Sequence, residues 1–297
     1  MLNPGIVIVL VCIYSLFPVC ASDKISTFHT QESGAPFITN YSPSKYNAHG
    51  QNWAIIEDNN GYMYFGNTDG CVLQYDGVQW RQIPVTNGSI VRSLARDSNG
   101  KIYVGAQNEI GFLTPDSYGS LVFQSILVDI PEEFRAFGDV WQIHFIDNQL
   151  FFSTRKYLFR RNNDGIFKVW QAKNVFHVSF NPGFNQLYIH QRKTGLMVLD
   201  GDSLKLIPGG ERFKDDWVYL VTPFQDNTIM IASRNSGLFI FDGNQIQKFR
   251  TPANNWLVDN HVYHGTYLKS GQLALGTQRD GLIILNRNGD ILNLIDK

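Results

Sequence analysis

"GYMYFGNTDGCVLQYDG", residues 61–77, reads as strand, turn, strand, turn. The phrase returns as "NTIMIASRNSGLFIFDG" from Asn227 and as "GQLALGTQRDGLIILNRNG" from Gly271. Working outward from it, each unit opens on a marker residue: Asn52, Val91, Val140, Val175, Val218 and Val262. The steps between markers are 39, 49, 35, 43 and 44 residues. An apolar residue follows three places on in five units (Ile55, Leu94, Ile143, Val178, Val221), and Gly265 replaces it in the sixth. Then come a polar turn such as "EDNNG" or "RDSNG" and a short apolar strand such as "YMYFG" or "KIYVG". A second turn and strand follow, with a weaker fourth strand such as "QWRQIPV" or "SLKLIPG".

Short strands joined by Asp-Gly and Asn-Gly turns form antiparallel meanders. A four-stranded sheet that is apolar on both faces cannot remain in water alone, and stacking successive sheets around an axis covers them. A repeat of roughly 40–45 residues predicts an all-β fold, a β-propeller of four-stranded antiparallel blades. No segment holds a 3.6-residue apolar period for three turns, which argues against a helical fold. Six blades are recognisable, over 52–297. The segment "GAPFITNYSP" (34–43) reads as a lone closing strand within an N-terminal strap, 22–51. Two architectures fit. One is a six-bladed ring with a strap. The other, favoured by the ending "GDILNLIDK", is an incomplete seven-bladed ring at the front of a longer protein.

Composition agrees. With 43% hydrophobic and 17% charged residues the chain can bury a core. Twenty-one Phe, thirteen Tyr and six Trp suit half-buried strands. Net charge is −1, and the longest basic patch, "RKYLFRR" (155–161), is broken by apolar positions. A nucleic-acid partner needs a concentrated basic face and is not expected. The apolar run "IVIVLVCIYSLFPVCA" before "SDK" reads as a signal peptide over residues 1–21, cleaved between Ala21 and Ser22, with an uncleaved anchor as the alternative. Export to a periplasmic or extracytoplasmic space is the expectation. Cys12 and Cys20 lie in the leader, so Cys71 remains as a core thiol with no disulfide or zinc role.

"NWAIIEDNNGYMYFGNTDGCVLQYDGVQW" resembles the two-component regulator propeller repeat. Asn52, Ile55, Asp58, Gly61, Tyr64, Gly66, Gly70, Tyr75, Asp76 and Gly77 fall on its positions. The usual second-strand Trp is replaced by Tyr64, Tyr103, Phe151, Tyr188, Met230 and Ala274. The resemblance implies a sensor input domain outside the inner membrane, often for glycans. It also implies a membrane-linked output module, kinase or DNA-binding, beyond this chain.

Ligand sites on propellers lie at a mouth of the central channel. The residues after the markers are Trp53, Arg92, Trp141, Phe176, Tyr219 and Tyr263, read here as a collar of aromatic faces and one guanidinium. His177 and His264, next along, are read as polar ligand contacts. The simpler reading is packing between blades. His261 and His264, three apart in an extended segment, diverge and predict no metal site. "DNNG" at Asp58 is a turn, since no Glu completes a calcium loop. Glu132–Glu133 and Asp215–Asp216 read as solvated loop charge rather than a glycosidase pair. No catalytic residue and no cofactor is assigned. The expected function is a non-catalytic sensor of a small extracellular ligand such as a carbohydrate. A propeller glycoside hydrolase or lyase, or a protein-interaction platform, stands as the alternative, and homodimerisation stays open.

Overall fold

Turn chemistry closes each hairpin locally. Asp58 Oδ1 accepts the backbone N–H of Asn60 (2.8 Å) and Tyr62 (2.9 Å), and Gly61 takes a φ of +83°. Asp97, Asp116 and Asn286 repeat the device. "DNNG" is therefore a turn whose carboxylate serves its own backbone. In the computed structural model, which describes residues 39–295, these turns join six four-stranded antiparallel sheets.

Blade 1 is β1 (Asn52–Glu57), β2 (Met63–Asn67), β3 (Cys71–Tyr75) and β4 (Trp80–Pro84). Blade 2 is β5 (Val91–Arg96), β6 (Ile102–Ala106), β7 (Glu109–Pro115) and β8 (Leu121–Ser125). Blade 3 is β9 (Val140–Ile146), β10 (Gln149–Thr154), β11 (Tyr157–Arg161) and β12 (Phe167–Gln171). Blade 4 is β13 (Phe176–Phe180), β14 (Tyr188–Gln191), β15 (Gly195–Asp200) and β16 (Ser203–Leu206). Blade 5 is β17 (Val218–Pro223), β18 (Ile229–Ser233), β19 (Gly237–Phe241) and β20 (Ile246–Lys248). Blade 6 is β21 (Val262–Tyr267), β22 (Leu273–Thr277), β23 (Leu282–Leu285) and β24 (Ile291–Ile295). In every blade the strands pair in chain order, and from blade 2 to blade 6 the first strand of each lies beside the first strand of the one before it. The fold is a six-bladed β-propeller.

Its core is the set of clefts between blades. Five apolar clusters join blade 1 to 2, 2 to 3, 3 to 4, 4 to 5 and 5 to 6. Val91, Val140, Val218 and Val262 are fully buried in four of them, each such side chain stabilising by about 1.5–3 kcal/mol. Gly66 and Gly105 allow the close approach. A Cβ on Gly66 would lie 2.9 Å from Val91 Cγ1, and one on Gly105 would lie 2.6 Å from Val140 Cγ1.

The two end blades differ. Blade 1 is capped on its outer half by the short helix α1 (Pro43–Tyr46): Tyr46 and Tyr41 lean on Trp80 at 5.3 and 5.4 Å, over buried Cys71 and Leu73. Burial, with Asp69 adding to it, pushes the Cys71 thiol up to about 11, as suits a core residue. Nearer the axis Ile55 stays 60% exposed. On blade 6, Gly276 holds the place of Gly66 and Gly105 in the register, yet a Cβ there would meet nothing within 4 Å. β24 is exposed along its length. Among the described residues no apolar cluster joins blade 6 to blade 1.

Of the proposed closing strand, residues 34–38 lie outside the described residues, as does the leader. Residues 39–42 form no strand, and Pro43 begins α1, since proline presets the φ of a first helical turn. A helix not foreseen, α2 (Ala253–Asn260), bridges blades 5 and 6. It buries Ala253 and Leu257, and Asn254 Oδ1 accepts the Leu238 N–H at 2.9 Å. At eight residues it is too short to carry a readable period.

Candidate functional site

The opening residues of each innermost strand follow one geometric rule. The marker side chain packs toward the preceding blade, as Val91, Val140, Phe176, Val218 and Val262 do. The residue two places on faces the following blade: Ser93 Oγ donates to Val140 O (2.7 Å), and Leu220 packs into the cleft with blade 6. Simple alternation would put both on one face. A β-bulge at this point in all six blades resolves the conflict, with the pairing skipping Trp53, Arg92, Trp141, His177, Tyr219 and Tyr263. An extra bulge residue belongs to neither face and is re-aimed. Here six such residues turn toward the axis.

They form a continuous string. The Arg92 guanidinium sits 3.9 Å from the Trp53 ring centroid and 4.9 Å from that of Trp141, and the two indoles meet edge-on at 6.1 Å. Arg155 lies 4.9 Å from the Trp141 ring and 3.0 Å, through Nη1, from His177 Nδ1. The His177 ring touches Trp217 (4.5 Å) and Tyr219 (4.9 Å), and Tyr219 reaches Tyr263 at 4.9 Å. Trp53 and Tyr263, at the two ends, are the exposed members, at 38% and 50%.

Two expected positions differ in the structure. Phe176 was placed in the collar, but it is 1% exposed and pairs with Gln191 as the marker of blade 4; its ring fills the cleft between blades 3 and 4. Val175, taken as the marker, lies before the strand, so that unit was read one residue early. His177 is the bulge residue itself rather than a neighbour of it. His264 belongs elsewhere too. It pairs with Gly276 in the row that faces a following blade, and it lies exposed on the flank of blade 6. Trp53, Arg92, Trp141, Tyr219 and Tyr263 are the bulge residues of their strands.

Sequence reasoning missed a second ring. The residue after β10, β14 and β18 is Arg155, Arg192 and Arg234. Aligning the units on the end of their second strand, rather than on their markers, exposes this repeat. Arg192 lies over the Trp217 ring at 3.9 Å and donates to Asp216 O (3.1 Å), and Arg234 meets His261 Nδ1 at 3.1 Å. All three act on Tyr219, whose hydroxyl is nonetheless raised, chiefly by burial and then by Tyr263. Burial is the main force holding His177 down near 3, with the charge of Arg155 next, so this imidazole is neutral.

Charges here are unevenly partnered. Arg92 Nη2 pairs with Asp139 at 3.4 Å, and no ion pair is formed by Arg155, Arg192 or Arg234 among the described residues. Arg92 Nε and Nη1, Trp141 Nε1, His177 Nε2 and Arg234 Nε are buried without a hydrogen-bond partner, as is one acceptor, Asp139 Oδ1. Buried donors are normally satisfied, so a cluster of orphans at one mouth is informative. Asp216, read from sequence as solvated, is 7% exposed; it accepts from Trp217 N, Asn235 N, Ser233 Oγ and Ser236 Oγ at 2.7–3.1 Å. Asp215 is solvated, paired with Lys193 at 2.7 Å, and Glu132 and Glu133 are exposed. Two surface grooves, of about 640 and 650 Å³, lie at the other end of the blades, around Asp58, Tyr64 and Arg81 and around Tyr188, Asp200 and Lys205. Their polar groups are satisfied by turns, as where Tyr64 OH donates to Asp58 at 3.1 Å. The mouth is the stronger candidate.

No family model and no curated relative matches the chain. Solved structures do. The extracellular domain of the putative one component system BT4673 from B. thetaiotaomicron matches at TM-score 0.63 and 17% identity, over 83% of this chain and 33% of that one. Virginiamycin B lyase from Staphylococcus aureus matches at 0.61 and 14%, over 81% and 82%. The WD40 β-propeller domain of Doa1 matches at 0.60 and 16%, over 84% and 83%. The chain spans about a third of the BT4673 structure it matches. At these identities the likeness shows the propeller fold, which the extracellular domain of a putative one component system, a lyase and a WD40 domain share.

Proposed function

We propose that this protein is an extracytoplasmic ligand-binding domain, the sensing region of a signal-transduction regulator, and that its ligand sits at the bulge-lined mouth. The observation that carries this reading is the convergence of six bulge residues from six blades on one place, together with buried donors that lack partners. The bulge lets the residues on either side of it pack into opposite clefts, and it leaves the skipped side chain free to meet a ligand. The aromatic faces of Trp53, Trp141, Tyr219 and Tyr263 suit stacking on sugar rings, so a carbohydrate is the favoured ligand class. Export rests on the reading of residues 1–21, and the fold likeness to an extracellular domain is consistent with it. Binding without catalysis is supported by Asp216, whose carboxylate is taken up by four hydrogen bonds, while Asp139 is ion-paired through Oδ2 alone, its Oδ1 being buried without a partner. His177, held neutral far below its ordinary pKa, is a weak general base.

The test is calorimetric titration of the full chain against a panel of oligosaccharides, with Trp141→Ala and Tyr219→Ala beside the wild type. Loss of one aromatic platform should weaken a true ligand by roughly tenfold or more while far-ultraviolet circular dichroism is unchanged. A panel member bound equally by all three proteins would place its site away from the mouth.

A further inference from the structure

The second ring of side chains goes beyond a general sugar platform. Three consecutive blades place an arginine at the same register position, directly after the second strand, and a fourth guanidinium, Arg92, enters from a bulge. Arg155 and Arg192 both border His177, one through its imidazole and the other through Trp217. One ion pair, with Asp139, compensates the four cations among the described residues. Half-buried guanidiniums repel one another, and the aromatic rings beneath them relieve only part of that. An oxoacid group completes the arrangement, because planar guanidiniums fork onto carboxylate or sulfate oxygens and donate two parallel hydrogen bonds.

We propose that the mouth is selective for an anionic saccharide, a sugar bearing a carboxylate or sulfate that Arg155 and Arg192 grip while its ring stacks on the neighbouring aromatics. This rests on the mouth being the ligand site and specifies the ligand's charge. Neutral glycans would leave Arg155, Arg192 and Arg234 without an ion-pair partner among the described residues and would gain only the stacking.

The experiment titrates the full chain with trigalacturonate, with a heparin-derived sulfated disaccharide and with neutral maltotriose, at low and high salt. Arg155→Gln/Arg192→Gln is the main variant. Because Arg155 Nη1 also donates to the His177 carbonyl, Arg192→Gln alone provides a variant less liable to misfold, and melting curves check both. The expected result is that a charged probe binds the wild type, weakens as salt rises, and loses about 10- to 100-fold in affinity in Arg192→Gln. Binding of trigalacturonate alone identifies a carboxylate, and of the disaccharide alone a sulfate. If maltotriose binds and Arg192→Gln leaves its affinity unchanged, charge selectivity is wrong while the sensing reading survives. If a charged probe binds wild type and variants equally, the arginines are not its site and the inference falls. If no probe binds at millimolar concentration, both the inference and the sugar-sensing reading fall.

Discussion

Alanine placed at Gly105 and at Gly276 should have opposite effects, although the two glycines occupy the same register position in blades 2 and 6. Neither has a positive φ, so alanine fits both backbones. At Gly105 the new Cβ would lie 2.4 Å from Ser93 Oγ, 2.6 Å from Val140 Cγ1 and 2.8 Å from Val140 Cβ. These contacts are too short to persist. Relieving them means prising blade 3 from blade 2 or breaking the Ser93–Val140 hydrogen bond. Overpacking of this kind costs about 1–3 kcal/mol, offset by roughly 0.4–1 kcal/mol from a less flexible unfolded chain. At Gly276 no atom lies within 4 Å, so only the second effect acts and stability should rise slightly. The separation is about 2 kcal/mol. At roughly 2–4 °C per kcal/mol for a domain of this size, that is about 4–8 °C in melting temperature. Differential scanning calorimetry on the 297-residue chain reads it directly. If Gly276→Ala falls as far as Gly105→Ala, the flank of blade 6 is covered, and the account of that blade as an unpartnered end is wrong.

Two further outcomes test the electrostatics. Burial, above all, holds His144, His177 and His190 down at about 4, 3 and 4, so they are neutral in the fold while the unfolded chain takes up protons below about 6.5. The stability they contribute is complete above that pH and is lost as pH falls toward 4, by up to about 1.4 kcal/mol per unit for each histidine. Urea midpoints across pH 4–7 should therefore slope upward with pH, and His144→Gln should flatten the slope; an unchanged slope would exclude that residue. Asp216→Ala strands two backbone N–H groups and two hydroxyls in a buried turn. A loss of about 3 kcal/mol in chemical denaturation is expected, and a loss under about 1 kcal/mol would mean the turn rearranges freely.

The string of bulge residues was half legible in the chain. Trp53, Arg92, Trp141, Tyr219 and Tyr263 could be found because each follows a valine or asparagine that recurs with the blade. Phe176 could not be told from His177: both unit-four candidates are ring-bearing, and an apolar Val175 stands where a marker would. Only strand pairing, which matches Phe176 to Gln191, decides which of them escapes the sheet. His264 obeys the sequence pattern as well as any neighbour, yet it looks outward because no blade of the described residues follows it. Arg155, Arg192 and Arg234 carry a faint repeat of their own, hidden because their strands begin at variable distances from the markers.

The chain by itself determined the strands, their turns and the six-fold repetition. Those depend on period-two alternation and on Asp, Asn and Gly chemistry acting over four or five residues. Tertiary structure alone decided which residues meet across the blades and, among the described residues, which arginines lack a counter-charge and which blade faces are left open. Those properties arise between residues 22–88 positions apart, and a single-residue bulge is enough to exchange a core side chain for one that leaves the cleft.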